Sequence, residues 1–250
     1  MASEDNFTIT IKGAGGHAAQ PHKAKDALVI AAEIILGIQT IVSRNIDPAC
    51  SSVISLTEIH SDGVHNVIPG NVVIKGDTRS LDPVSQKTVE NRLREICEGI
   101  CRMNGAECDF EYTYETIPTM NDPACTAYAA EAAAKVVGKD NVDTGVTAPL
   151  TSEDFARFLS EVPGCFVFIG TGRTDNDPPL HHAKYDFNDN VLETGAEYFA
   201  QLVRDREQRD IASAAEPFAD PEARGTGAAV NKHFFHVFSV TFHGCGIIMQ

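Results

Sequence analysis

At 250 residues and 43% hydrophobic content, the chain is long enough for one large domain or two ordinary ones, each with a sizeable core. A net charge of −15 argues against a nucleic-acid or anionic-membrane partner, since both need clustered Lys and Arg to neutralise phosphate. The seven cysteines form no CxxC pair, which points to reduced thiols in a cytoplasmic protein, and no run of about 20 apolar residues marks a membrane span.

In chain order, Phe7, Ile9 and Ile11 alternate with Thr8 and Thr10 and predict a half-buried strand, ended by the Ala14-Gly15-Gly16 turn. From about Asp26 to Ser43, Ala27, Ile30, Ala31, Ile34, Ile38 and Ile41 recur at helical spacing. Strands follow around Val53–Ile59 and Val72–Arg79, with turn signals at Asp62-Gly63 and Pro69-Gly70. A helix is expected from about Pro83 to Met103, closed by Asn104-Gly105, with Cys97 and Cys101 as small core residues on its buried face. A last strand sets Phe110, Tyr112 and Tyr114 against Glu111, Thr113 and Glu115. The order β-α-β-β-α-β is that of a ferredoxin-like unit, an antiparallel sheet with two helices on one face, and assigns residues 6–116 to a first domain.

Beyond Pro118 the pattern predicts a helix over about 123–137, a short helix opened by Thr151-Ser152-Glu153-Asp154, a strand from Cys165 to Ile169 and a helix from about Asp189 to Arg204. The run CFVFI is apolar on both faces and belongs inside a covered sheet. Its partner strands are not visible in residues 117–206, so this second domain reads as an incomplete α/β half, prone to aggregate or rearrange unless a partner covers it. Residues 212–231 have the composition of a disordered linker within an unassigned 207–250 segment. The stretch 233–250 shows some strand-like alternation, and its His233, His236, His243 and Cys245 make only a weak metal pattern.

Several residues could carry chemistry, each beside a plainer reading. His181 and His182 precede an acidic run, where a neutral imidazole could bind a metal ion or be a surface feature. His17, presented after Gly15 and Gly16, could stabilise an oxyanion or be an exposed turn histidine. Arg79 shares a strand face with Lys75 and Asp77; it could grip a carboxylate or bridge to Asp77 or Asp82. Asn66 precedes a Pro-Gly turn and could satisfy backbone groups there. Ser152, Glu153 and Asp154 read first as helix-capping residues. Ser152 lacks the glycine elbow of a serine hydrolase.

Six segments in order resemble the metal-dependent amidohydrolases of the aminoacylase and hippurate-hydrolase type. These are GAGGHAAQPH (13–22), QTIVSR (39–44), HNVIP (65–69), GDTR (76–79), TSEDF (151–155) and the stretch from Leu180 through Asp189. The resemblance implies that residues 6–116 are the lid and dimerisation domain and that 117–206 are the later part of the catalytic domain. It implies two divalent metals, manganese or zinc, with His181 as a metal ligand and Glu153 a residue beside the metal site. His17 would reach a partner subunit's active site to hold the scissile carbonyl oxygen, and Asn66 and Arg79 would bind substrate. The expected substrates are N-acyl amino acids or similar small amides, and the expected assembly is a homodimer through the lid. In the family the first metal motif, the paired glutamates and a further histidine ligand precede the lid, so this chain is expected to be truncated, not to retain metal alone and to be inactive without that half. The competing expectation is a non-catalytic dimerisation or binding module, its lid sheet pairing edge to edge.

Overall fold

The computed structural model describes residues 1–172, 177–215, 240–242 and 247–249. The chain divides into two compact units, residues 1–119 with 148–157, and residues 120–147 with 158–250.

The first unit contains strands β1 (Glu4–Lys12), β2 (Gly16–His17), β3 (Ser52–Ser61), β4 (Val67–Ile68), β5 (Asn71–Ser80) and β6 (Glu107–Thr116), with helices α1 (Ala27–Arg44) and α2 (Pro83–Met103). Its main sheet has the order β3-β5-β1-β6, every neighbouring pair antiparallel. This is the ferredoxin-like arrangement that the alternation predicts. Period-two alternation sends Phe7, Ile9, Ile11, Val72 and Ile74 into the core, where they meet Ile30, Ile34, Ile38 and Ile41 of α1 and Val89, Leu93, Cys97 and Cys101 of α2. Gly76 has a steric reason: a Cβ there would lie 2.2 Å from the Phe7 ring, its neighbour across the β1–β5 pair.

Aspartates start both helices. Asp26 accepts the Leu28 and Val29 N–H groups, and Asp82 accepts that of Ser85 with Pro83 in the first turn. By length and mean hydropathy (1.7) alone, α1 matches a membrane-crossing helix, as the core helix of a folded domain also can; its buried isoleucine face packed on the sheet accounts for much of that apolarity.

The second unit contains α3 (Pro123–Val137), β7 (Val142–Asp143), β8 (Val167–Ile169), α5 (Leu192–Ala215), β9 (Val240–Phe242) and β10 (Ile247–Met249); the short helix α4 (Ala156–Glu161) runs from the first unit into it. Asp122 caps α3 through the Cys125 N–H. Cys165, Val167 and Ile169 pack with Tyr128, Ala129 and Ala132 of α3 and Tyr198 and Leu202 of α5. The sheet order is β7-β10-β8-β9.

Three features depart from expectation. The segment 148–157 packs with the first unit, fastened by the Ala2 N–H on Thr151 O and by Arg157 on Glu115 O. Helix α5 continues to Ala215, into the stretch expected as linker; residues 216–231 of that linker lie outside the described residues. The partners of β8 come from the tail, whose three-residue strands are too short to show a clear period in sequence. Of the weak tail metal pattern, His233, His236, His243 and Cys245 all lie outside the described residues.

Candidate functional site

The structure gathers the candidate residues of the first unit at two places. The first is a ribbon formed by β2 and β4, which pair Gly16 with Ile68 and His17 with Val67. Gly13 N–H donates to Gly70 O at 2.7 Å, and a Cβ on Gly15 would lie 2.8 Å from Ile68 O, so the two backbones approach as closely as only glycine permits. One residue on, Ala18 N–H donates to Asn66 O at 3.0 Å. His17 and Asn66 thus stand beside each other, both exposed. Asp62 secures the ribbon's base by accepting both the backbone N–H (3.0 Å) and the side-chain amide (2.7 Å) of Asn71, and those bonds hold its carboxyl below the usual carboxylate range.

The His17 ring is oriented by its own loop. Ala19 N–H donates to Nδ1 at 3.1 Å, so in the neutral ring the proton sits on Nε2, which is left as the donor. A carbonyl oxygen that gains negative charge is a suitable acceptor for such a group.

The second place is the far end of β5. Arg79 lies eight residues beyond Asn71, roughly 25 Å along an extended strand. Its Nε donates to Asp77 at 3.0 Å, and one terminal nitrogen reaches Glu4 at 3.3 Å and Ser152 Oγ at 3.1 Å. Ser152 in turn donates to Glu4 at 2.6 Å. Of the two readings of Arg79, the geometry shows the internal ion pair, with Asp77 and Glu4 rather than Asp82. Sequence reasoning missed Glu4 and Ser152 as its partners, and no local pattern could have found them.

Glu153 follows Ser152. Burial, then the neighbouring Asp154 side chain, raises its pKa. The expected capping is carried by backbone: Glu153 O accepts the Ala156 N–H and Asp154 O accepts that of Arg157, while the Ser152 hydroxyl is turned to Glu4.

In the second unit His181 is exposed and has φ 66°, the one non-glycine residue with positive φ among those described. An L-residue is held in that left-handed region at a cost, and such positions concentrate at functional sites. Its neighbour differs chemically: Lys184 N–H donates to His182 Nδ1 at 3.1 Å, which leaves the His182 ring proton on Nε2. With its Nδ1 lone pair used and Nε2 protonated, neutral His182 has no nitrogen ready for a metal, which favours His181 of the two. No group of three or more His, Cys, Asp or Glu side chains suited to a metal ion occurs among the described residues. Cys125 and Cys165 are inert by comparison: burial pushes their thiols up to about 12 and about 11.

Residues 5–205 match the model of Peptidase family M20/M25/M40. The chain belongs to the M20 family. It is 35% identical over 203 residues to a hippurate hydrolase of Campylobacter jejuni, covering 81% of this chain and 52% of that one. Over the same length it is 33% identical to an N-acetylcysteine deacetylase of Bacillus subtilis, again covering 81% and 52%. Among solved structures, a Bacillus subtilis protein titled a dinuclear metal binding peptidase from the M20 family superposes with a TM-score of 0.66 at 28% identity, covering 81% of this chain and 49% of that one. The mixed helix-and-sheet fold is therefore that of M20 peptidases. This M20 chain spans about half the length of the curated relatives it matches.

Proposed function

We propose that this M20 chain is the substrate-holding and late-ligand portion of an amidohydrolase that cleaves N-acyl amino acids or similar small amides. The observation that carries the reading is the juxtaposition of His17 and Asn66 at the β2–β4 ribbon, in a chain matching the family from residue 5 to 205. Two of the relatives bear the names of enzymes that split acyl groups from amino acids.

In this reading, His17 donates from Nε2 to the scissile carbonyl oxygen of a substrate bound in a partner subunit, as a neutral donor whose tautomer the Ala19 N–H maintains. Asn66, one residue before β4, offers its amide to the same substrate. Arg79 acts at one remove, holding Glu4 and Ser152 and so the segment that carries Glu153. His181 is a metal ligand, and Glu153 supports the site from its buried position.

A dinuclear site bearing manganese or zinc does not fit this chain by itself. Metal-assisted amide hydrolysis needs about three protein ligands per catalytic ion and a carboxylate to take the proton, and the described residues bring no such set together. The remaining ligands and the general base belong to the length of the family fold that this chain does not span. The homodimer forms through the first unit, whose edge strand β3 offers unpaired backbone groups and an exposed Ile59. A cytosolic setting agrees with the six described cysteines, all free thiols.

The test is hydrolysis of N-benzoylglycine and N-acetylcysteine by the purified chain with manganese or zinc, alone and co-expressed with the unmatched half of the Campylobacter relative. Turnover is expected only in the second case, and its loss in His17→Ala and His181→Ala variants. Chelator-sensitive turnover by the chain alone, abolished by His181→Ala, would overturn the incomplete-site reading; no turnover in either case would remove the assignment of activity.

A further inference from the structure

Strand β8 has an unusual supply of neighbours. All three of its residues are buried, as are Cys165 and Phe166 before it. Backbone N–H and C=O groups in such a strand need partners on both edges, since water cannot reach them. Among the described residues of 5–205, the extent of the family match, the other strand of this sheet is β7, and β7 pairs with β10 rather than with β8. Both edges of β8 are instead filled from beyond residue 205. On one side β9 runs parallel, with Val167 facing Val240 and Ile169 facing Phe242. On the other β10 runs antiparallel, with Phe168 facing Ile248 and Val167 facing Met249.

Relatives that share residues 5–205 have about half of their own length outside the match. The demand of β8 for two hydrogen-bonded neighbours is set by residues inside the match, so in a relative its neighbours must come from outside it.

We propose that Val240–Phe242 and Ile247–Met249 are a built-in strand donor that closes both edges of β8, occupying the positions at which strands of the unmatched half would otherwise complete this sheet. The tail thereby protects an edge that would pair with other chains, and it competes with any separate half for the same backbone groups. Docking of such a half requires the tail strands to leave.

Hydrogen exchange on the full-length chain tests this. Amides of Val167, Phe168 and Ile169 should exchange at least about 100-fold more slowly in the unaltered protein than in a Thr241→Pro/Ile248→Pro variant. Proline at the centre of each tail strand removes a donor and breaks the ladder. Amides of Ile9, Ile74 and Leu93 in the first unit should keep their rates. Equal rates at β8 in both proteins, fast or slow, would overturn the proposal. A second measurement does not depend on how the proline variant folds. Cysteines introduced together as Phe168→Cys and Ile248→Cys face each other across an antiparallel pair, where Cα separations of about 4.5–5.5 Å suit a disulfide. Mild oxidation with glutathione disulfide should link them, read by peptide mapping, and failure to link would equally overturn the proposal.

Discussion

The two units solve the same problem, a sheet with helices packed against it, in opposite ways. In the first, four main strands of nine or ten residues pair entirely within residues 4–116, and α1 and α2 cover one face. In the second, strands of two or three residues are assembled from points as far apart as Val142 and Met249. Long strands carry their own register, because a one-residue slip would turn every apolar side chain outward. Short strands cannot, and depend on what chain lies beside them. The difference teaches that the half of the family fold present here is a self-sufficient unit joined to a dependent one.

Variants that disturb only one unit should sharpen this contrast. The largest effect is expected from Ile34→Ala. Ile34 is fully buried between α1 and the main sheet, and loss of a large aliphatic side chain at such a site costs about 2–5 kcal/mol. Hydrogen exchange should show that loss across β1, β5 and α2, with β8 and α3 unaffected; equal loss in both units would mean that they unfold as one and that the distinction is only geometric.

Arg79→Ala should come next, at about 1–3 kcal/mol, the scale for losing hydrogen bonds to charged groups. It strands Asp77 and removes the guanidinium that Glu4 and Ser152 share, leaving their mutual hydrogen bond to hold the segment. Amides of residues 151–157 should lose protection more than those of β1 or β5, and Arg79→Lys should not restore them because an ammonium lacks the guanidinium fork. If the segment keeps its protection, Arg79 does not hold it, and the substrate-binding reading of this residue regains ground.

A smaller, pH-dependent effect belongs to Asp5. Its carboxyl is buried and accepts from Gln86 at 2.8 Å and Ser3 at 3.0 Å, and burial raises its pKa above the ordinary 3.8. A folded pKa above the unfolded one means that the folded state holds the proton more tightly. The stabilisation it contributes is present below about pH 3.8 and is lost as pH rises through the raised folded value. Denaturant unfolding of the wild type and Asp5→Asn at several pH values should show the wild type losing ground to the variant as pH rises from 4 to 7. A gap constant with pH would refute the assignment.

What could be read in the sequence follows the same division. Helix α2 was expected from Pro83 to Met103 and spans those residues, because Asp82-Pro83 and Asn104-Gly105 mark both ends and the apolar face recurs between them. The strands β1, β3, β5 and β6 are long enough for alternation to show. The β2–β4 ribbon is not, and the adjacency of His17 and Asn66 was not legible in the sequence. Of the partners of Arg79, Asp77 is two residues away and legible in the sequence, whereas Glu4 and Ser152 lie 75 residues before it and 73 after, beyond the reach of any local pattern. For β8, composition disclosed that it must be covered on both faces, while the identity of the covering strands depended on pairings of two or three residues, where period-two and helical patterns cannot be told apart.

The smallest expected effect falls on the second unit and separates shape from chemistry at His181. Its φ of 66° costs an L-residue roughly 1–2 kcal/mol relative to the right-handed region, a cost that glycine does not carry. Glycine also gains freedom in the unfolded chain, which takes back roughly 0.5–1 kcal/mol. His181→Gly should therefore leave the second unit as stable as before or firmer by no more than about 1.5 kcal/mol, whereas His181→Ala keeps the backbone strain. Both variants lose the imidazole, so both should abolish metal-dependent turnover in the reconstituted enzyme. Such a result would show that the left-handed turn is maintained for what the ring does. If His181→Gly instead weakened the unit, the imidazole would be part of the packing that holds the loop, and its position would no longer speak for metal binding.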